Sequence, residues 1–200
     1  SSAADLALTA RLCRLLTPTD DTPPLAAVRS AAAASLALAL LFLRSGRRDV
    51  AEALKPPALD ALAHMRPDLL LTRALARALI LWDATPDDAW LASACPALTD
   101  PAALDPHQAL AFYYIRAGAC LALGLQFAGT GDVRARALLL RQLAYAPEPP
   151  TSYEARLVRA AITMLHDVVR LALGCVMAGT GDVDTLRVLR AAHGALDVPY

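Results

Sequence analysis

The chain has 200 residues, enough for one sizeable core, and 56% of them are hydrophobic while only 5% are aromatic. Basic and acidic side chains balance at 19 each, and the arginines are scattered, which argues against a nucleic-acid face driven by basic excess. Cys13, Cys95, Cys120 and Cys175 form no CxxC pair and each falls in an apolar helical pattern, so they read as buried free thiols rather than a disulfide framework or metal site.

Alternating strand patterns are lacking and helical spacing runs throughout, so the fold class is all-α. A first helix is predicted over Ser2–Leu16, followed by the loop "TPTDDTPP". A second spans Leu25–Arg44. Its apolar run Ser30–Leu43 has 14 residues, short of the roughly 17–25 a membrane span needs. A short helix over Val50–Leu54 is stopped by "KPP", and Pro67–Trp82 opens with proline in its first turn. Thr85-Pro86-Asp87-Asp88 reads as a start signal, with the Thr85 hydroxyl as cap and the acids on the positive end of the helix dipole. Helices follow over Asp105–Phe127 and Val133–Tyr145. Thr151 and Glu154 are spaced as a capping box for a helix to Met177, and a last helix over Val183–His193 ends at Gly194.

Two of these helix pairs share a sequence. Leu121–Val133, "LALGLQFAGTGDV", and Leu171–Val183, "LALGCVMAGTGDV", differ at three positions and are offset by 50 residues. A weaker copy, "LALALLFLRSGRRDV" (Leu36–Val50), superposes Gly46 on Gly131 at an offset of 85, and Asp49 on Asp132 after a two-residue insertion. Each copy is a long helix, a Gly-containing reversal and a shorter helix, the layout of a helix-turn-helix repeat. The predicted organisation is an N-terminal helix and Pro-rich linker (1–24), a first repeat (25–56), a helical insertion (57–104), a second repeat (105–150), a third repeat (151–194), and the start of a further segment at 195–200, as in a fragment of a longer chain.

The repeated residues have structural work to do. Leu36, Leu40 and Leu43, then Leu121, Leu125 and Ala128, then Leu171, Cys175 and Ala178 are expected to form one buried helical face written three times. Gly124 and Gly174 sit mid-helix, where glycine costs about 1 kcal/mol against alanine, so a neighbouring helix should approach closely there. Gly46, Gly129, Gly131, Gly179 and Gly181 suit positive φ at the reversals. Asp132 and Asp182, with Asp49 in the first copy, are placed to accept from the free N–H groups of the following helix. A phosphate-cradling reading of the glycines fails because no lysine follows them, no strand precedes them, and an aspartate opens the helix.

No catalytic residue, cofactor site or metal site is expected. Asp87 and Asp88 serve a helix start, Asp20 and Asp21 lie in the Pro-rich loop, and His166-Asp167 has no nucleophile in context. His64, His107 and His193 lack metal-ligand spacing. Trp82 and Trp90 are expected in the core, and at least one of Tyr113 and Tyr114 should face outward. Thr17-Pro18 and Thr22-Pro23 are minimal proline-directed phosphorylation sites.

The repeats resemble proteasome/cyclosome repeats, found in the two largest non-ATPase subunits of the proteasome regulatory particle and in the largest subunit of the anaphase-promoting complex. "LLLTRALARALILWD" (Leu69–Asp83) with Trp90 nearby, "YIRAGACLALGLQFAGTGD" (Tyr114–Asp132) and "LALGCVMAGTGDVDTLRVLR" (Leu171–Arg190) are similar to the latter branch. The resemblance covers roughly Pro24 to Gly194; it departs at Arg-Ser-Gly-Arg-Arg in the first turn and at a short loop over 97–107. It implies an arc of an α/α toroid within a non-catalytic scaffold of a multisubunit E3 ubiquitin ligase of the mitotic cell cycle. The implied partners are other subunits of that complex and its co-activator, in nucleus and cytoplasm, with no nucleic acid, membrane or small-molecule substrate. A proteasome regulatory subunit is the competing scaffold, against which the Leu69–Trp90 segment argues. An α/α-toroid enzyme would need paired carboxylates facing one cavity. A mean hydropathy of +0.41 predicts apolar edges and a tendency of the isolated chain to associate, and a clean monomer in ultracentrifugation would count against this.

Overall fold

The computed structural model describes residues 3–16, 24–57, 65–95, 104–144 and 152–194. Within them every element is helical. The helices are α1 (Ala3–Leu15), α2 (Pro24–Leu41), α3 (Arg48–Ala53), α4 (Pro67–Leu81), α5 (Asp88–Ala94), α6 (Pro106–Gln126), α7 (Val133–Leu143), α8 (Tyr153–Val176) and α9 (Val183–Gly194). The Thr17 and Thr22 sites lie outside the described residues.

The longer helices α2, α4, α6 and α8 pack side by side in that order, and α1 rests on α2. Each is followed by a shorter helix that leans on the next long one: α3 on α4, α5 on α6, α7 on α8. The segment between the first and second copies therefore sits in the stack on the same plan, with α4 as its long helix and α5 as its short one.

Local chemistry starts the helices, with two shifts from expectation. Asp105 caps α6 by accepting from the N–H groups of His107 and Gln108, and Gln108 returns a bond to the Asp105 N–H. At α5 the cap is Asp87, which accepts from the Trp90 N–H, rather than Thr85. That bond, chiefly, holds the Asp87 carboxyl below its ordinary range. At α8 the cap is Ser152, which accepts from the Ala155 N–H, one residue after the expected Thr151. Ser152 has the extended backbone that a cap requires.

The core fills the space between the long helices. Leu38, Val50, Leu54 and Ile80 pack between α2, α3 and α4, and Ile115, Leu123, Leu138, Leu139, Val169 and Leu173 between α6, α7 and α8. Each such side chain contributes about 1.5–3 kcal/mol by leaving water. By length and composition α6 could cross a membrane, but α4 and α8 flank it, and that packing accounts for its apolar surface. Tyr113 is buried edge-on to Phe112 and Tyr114 is half-buried, so neither tyrosine is freely exposed.

The leucine stripe expected to be buried is instead open. Leu36, Leu40, Leu43, Leu125 and Leu171 are exposed, Leu40 to 74%, and Leu121 and Cys175 are half-buried. The buried stripe is its neighbour: Leu38 and Ala39, Ala122 and Leu123, Ala172 and Leu173. These helices are apolar on nearly every side, so periodicity could not choose a face. The small residues choose it, because alanine and glycine let helix axes approach closely.

Cys95 and Cys120 are buried, and burial pushes their thiols up to about 11 and about 12. Both should resist alkylation by iodoacetamide at pH 7.5 in the folded chain, while the half-buried Cys13 and Cys175 are modified first. Peptide mapping after a short pulse checks this. Equal labelling of all four would contradict the packing.

Candidate interaction surface

The three reversals share one backbone. Gly129 and Gly131 have φ of +69° and +63°, and Gly179 and Gly181 have +79° and +66°. In the first copy Arg44 and Gly46 take +58° and +65°, so an arginine occupies the left-handed position held elsewhere by glycine. Its guanidinium lies 4.9 Å over the Trp82 ring. The hydroxyl position is also kept. Thr130 and Thr180 each donate to a helix-end carbonyl, of Phe127 and Met177, at 2.7 Å. Ser45 donates likewise to the Phe42 carbonyl at 2.6 Å. The Arg-Ser-Gly sequence is thus the same turn in other letters.

These turns tie one unit to the next. The Gly129 and Gly131 N–H groups donate to the carbonyls of Cys175 and Val176 at 2.8 and 2.9 Å. In the same way, Arg44 and Gly46 donate to Leu79 and Ile80 at 3.1 and 2.9 Å. The acceptors lie at the C-terminal ends of α8 and α4, where helix carbonyls lack intrahelical partners. Between α4 and α6 the Gln126 side chain does this work: its oxygen accepts from the Ala84 N–H and its nitrogen donates to the Ala78 carbonyl. Gly124 supports the α6–α8 junction, since a Cβ there would stand 2.6 Å from Ala172. Gly118 supports the α4–α6 junction beneath the Leu71 carbonyl.

The aspartates divide. Asp132 accepts from the N–H groups of Arg134 and Ala135. Asp182 accepts from the Thr185 N–H at 2.8 Å and also takes Arg136, which reaches across from α7 to both Asp182 and Thr185 at 3.1 Å. Asp49 caps nothing. Arg47 holds it bidentately and keeps its carboxyl down at about 2. The two-residue insertion places Asp49 inside the first turn of α3, past the cap position at Arg47.

Asp182 is held below the ordinary carboxylate range, first by Thr185 and then by Arg136. A depressed folded value means its contribution is complete above the unfolded carboxylate value near 4 and is lost as pH falls below that. Hydrogen exchange at the start of α9 should therefore accelerate as pH falls below about 4 in excess of the intrinsic rate, and Asp182→Asn should remove that pH dependence. An unchanged profile in the Asn variant would refute the assignment.

At α8 and α9 the same features recur without a neighbour among the described residues. A Cβ on Gly174 would meet nothing within 4 Å. The Gly179 and Gly181 N–H groups have no acceptor among the described residues. A cleft of about 210 Å³ lies here, lined by Gly174, Met177, Gly181, Thr185, Leu186 and Leu189 among others. Leu186 stands where Arg136 stands one repeat earlier.

Asp88 pairs with Arg141, and Asp167 pairs with Arg170 one turn along α8. No group of three metal-ligating side chains occurs among the described residues. Arg44, Ser45, Gly118, Gln126 and Arg136 were not picked out from the sequence; the 85-residue offset that aligned Gly46 also aligns Arg44 with Gly129 and Ser45 with Thr130, whereas Gln126 carried no signal.

A family profile described as the APC1 fifth domain matches residues 1–200. Among curated relatives, "Negative regulator of mitosis" of Emericella nidulans is 37% identical over 187 residues, covering 86% of this chain and 9% of that protein. Anaphase-promoting complex subunit 1 of Schizosaccharomyces pombe is 31% identical over 177 residues (82% of this chain, 12% of that protein). The human protein of the same name is 33% identical over 182 residues (80% and 9%). The chain thus spans about a tenth of the length of these relatives. It belongs to the family of anaphase-promoting complex subunit 1, within the region described as its fifth domain.

Proposed function

We propose that this chain is part of a non-catalytic scaffold of the anaphase-promoting complex, the multisubunit ubiquitin ligase that drives mitotic progression. The observation that carries the reading is the family match across all 200 residues. The neighbours it positions are other subunits of that complex and the co-activator, and it works in nucleus and cytoplasm. The repeated units form an arc of an α/α toroid.

The packing plan supports this reading. The turns after α2 and after α6 each donate a pair of N–H groups to the end of the next long helix, and Gln126 links α4 to α6, so helix pairs add in one direction with fixed geometry. The α8–α9 edge offers Gly174, Gly179 and Gly181 in the same arrangement. In the parent a further helix pair covers it, with an apolar side chain rather than a threonine opposite Leu186.

The test is affinity purification of the tagged full-length parent from dividing cells with mass spectrometry of what accompanies it. Cullin-like, RING and tetratricopeptide subunits are expected. Recovery of the ATPase ring and lid of the proteasome would place the chain in the other scaffold.

A further inference from the structure

Two junctions between long helices follow one rule. At α6–α8 the N–H groups of Gly129 and Gly131 donate to the carbonyls of Cys175 and Val176, and three residues before Cys175 stands Ala172, against which Gly124 packs. At α2–α4 the N–H groups of Arg44 and Gly46 donate to the carbonyls of Leu79 and Ile80, and three residues before Leu79 stands the buried Ala76. The receiving helix thus carries a small residue at one position and offers carbonyls three and four positions later, at its end. The small residue lets the axes approach. That approach brings the turn's N–H groups within reach of carbonyls that have no partner in their own helix.

The α8–α9 edge presents the donor half of this rule once more. Gly174 stands where Gly124 does, and Gly179 and Gly181 repeat the positive φ of Gly129 and Gly131. Both turn glycines are exposed, and their N–H groups have no acceptor among the described residues. A free anion at these N–H groups would meet the Asp182 carboxylate, which lines the same cleft, whereas a helix end carries no full charge. Order along the chain identifies the occupant. The helices α2, α4, α6 and α8 pack side by side in sequence order, so the place after α8 falls to the long helix that comes next. The relatives are about ten times as long as this chain, which leaves ample sequence to supply it. A second copy fits poorly. Its α4 and α8 hold the alanine and both carbonyls in this register, but those carbonyls already accept from the copy's own turns.

Resting on the reading of the chain as one arc of a longer repeat array, we propose that the α8–α9 edge binds the end of one defined helix: the first long helix of the parent beyond residue 200. That helix carries alanine, glycine or serine opposite Gly174. Its carbonyl three residues later accepts from the Gly179 N–H, the following carbonyl accepts from the Gly181 N–H, and there the helix ends.

Two measurements on the full-length parent in its assembly test this. Hydrogen exchange read by peptide mass spectrometry compares the turn at 179–181 with the turn at 129–131, whose acceptors lie on α8. The two turns should exchange within about tenfold of each other. Gly174→Ala should speed the 179–181 turn roughly tenfold, the effect of one overpacked methyl, and leave 129–131 unchanged. A Cβ at 174 meets nothing within 4 Å among the described residues, so the variant keeps their own packing. Benzoylphenylalanine at Leu189, on the wall of the cleft, then captures the occupant by photo-crosslinking. The captured peptide should come from the parent beyond residue 200, and replacing its small residue by leucine should speed the 179–181 turn at least as much as Gly174→Ala does. Exchange of that turn at the intrinsic rate, a Gly174→Ala rate equal to the unsubstituted one, or no capture would each overturn the proposal. So would capture of another protein, of residues 1–200, or of a part of the parent preceding Ser1. The co-purifying proteins report separately on which complex the scaffold serves, so the two readings can fail independently.

Discussion

Gly124→Ala is expected to destabilise the chain by about 1–3 kcal/mol, the usual cost of overpacking, even though alanine is the better helix former by about 1 kcal/mol. The added methyl would stand 2.6 Å from both the Cα and the Cβ of Ala172, and backbone cannot step aside as a side-chain tip can. Gly118→Ala should cost at least as much, because its methyl would collide with the Leu71 carbonyl and come within 3.0 Å of the Ala74 Cβ. Gly174→Ala is the informative contrast. It repeats Gly124 fifty residues on, yet its methyl meets nothing, so in the 200-residue chain the helical gain of up to about 1 kcal/mol stands alone. Urea unfolding of the three variants separates them by sign. In the full-length parent the sign at Gly174 should reverse, since a further helix pair would occupy that face. A Gly174→Ala variant that stabilises both forms equally would remove the case for a covering unit.

That contrast also marks how far the sequence could be read. The positions of α6 to α9 and the turns between them were legible because "AGTGD" occurs twice and glycine, threonine and aspartate each have a distinct backbone role. The first turn was half legible. Gly46 aligns, but Arg44 and Ser45 differ in name from Gly129 and Thr130, because the common element is a backbone shape and a hydroxyl rather than a residue type. The buried face is not legible from spacing. Leu121, Leu125 and Ala128 recur at helical spacing, but so do Ala122 and Leu123 beside them, and only the packing of α4, α6 and α8 decides between the stripes. The inter-unit bonds were beyond reach, since the carbonyls of Cys175 and Val176 accept whatever side chains they carry. Gln126 and Arg136 act over 40 residues or more, a distance no local spacing reports.

Replacing Arg73 by methionine should cost about 3 kcal/mol, with α3 lost first. Arg73 is buried on α4, and its Nη2 donates to the carbonyls of Ala53 and Lys55 at 2.8 and 3.2 Å, its Nε to that of Leu54 at 3.4 Å. Those carbonyls end α3, a six-residue helix too short to hold itself together. A cation there satisfies orphan acceptors and meets the negative end of the helix dipole. Burial draws the Arg73 guanidinium below its ordinary value, the mark of a charge that has lost its water. Methionine keeps the apolar stem and leaves three carbonyls without their donor, each worth about 1–3 kcal/mol if kept from water, offset by the guanidinium desolvation no longer incurred. Lysine, with one compact ammonium and no fork, should recover about half of the loss. Denaturant titration gives the total, and hydrogen exchange locates it: amides of α3 should lose protection in Arg73→Met while those in the middle of α8 change only with global stability. A methionine variant within about 0.5 kcal/mol of the parent would mean that water reaches those carbonyls. Arg77, one turn further along α4, is the same residue type with no such acceptors among the described residues. Arg73 is thus structural because the end of α3 reaches it.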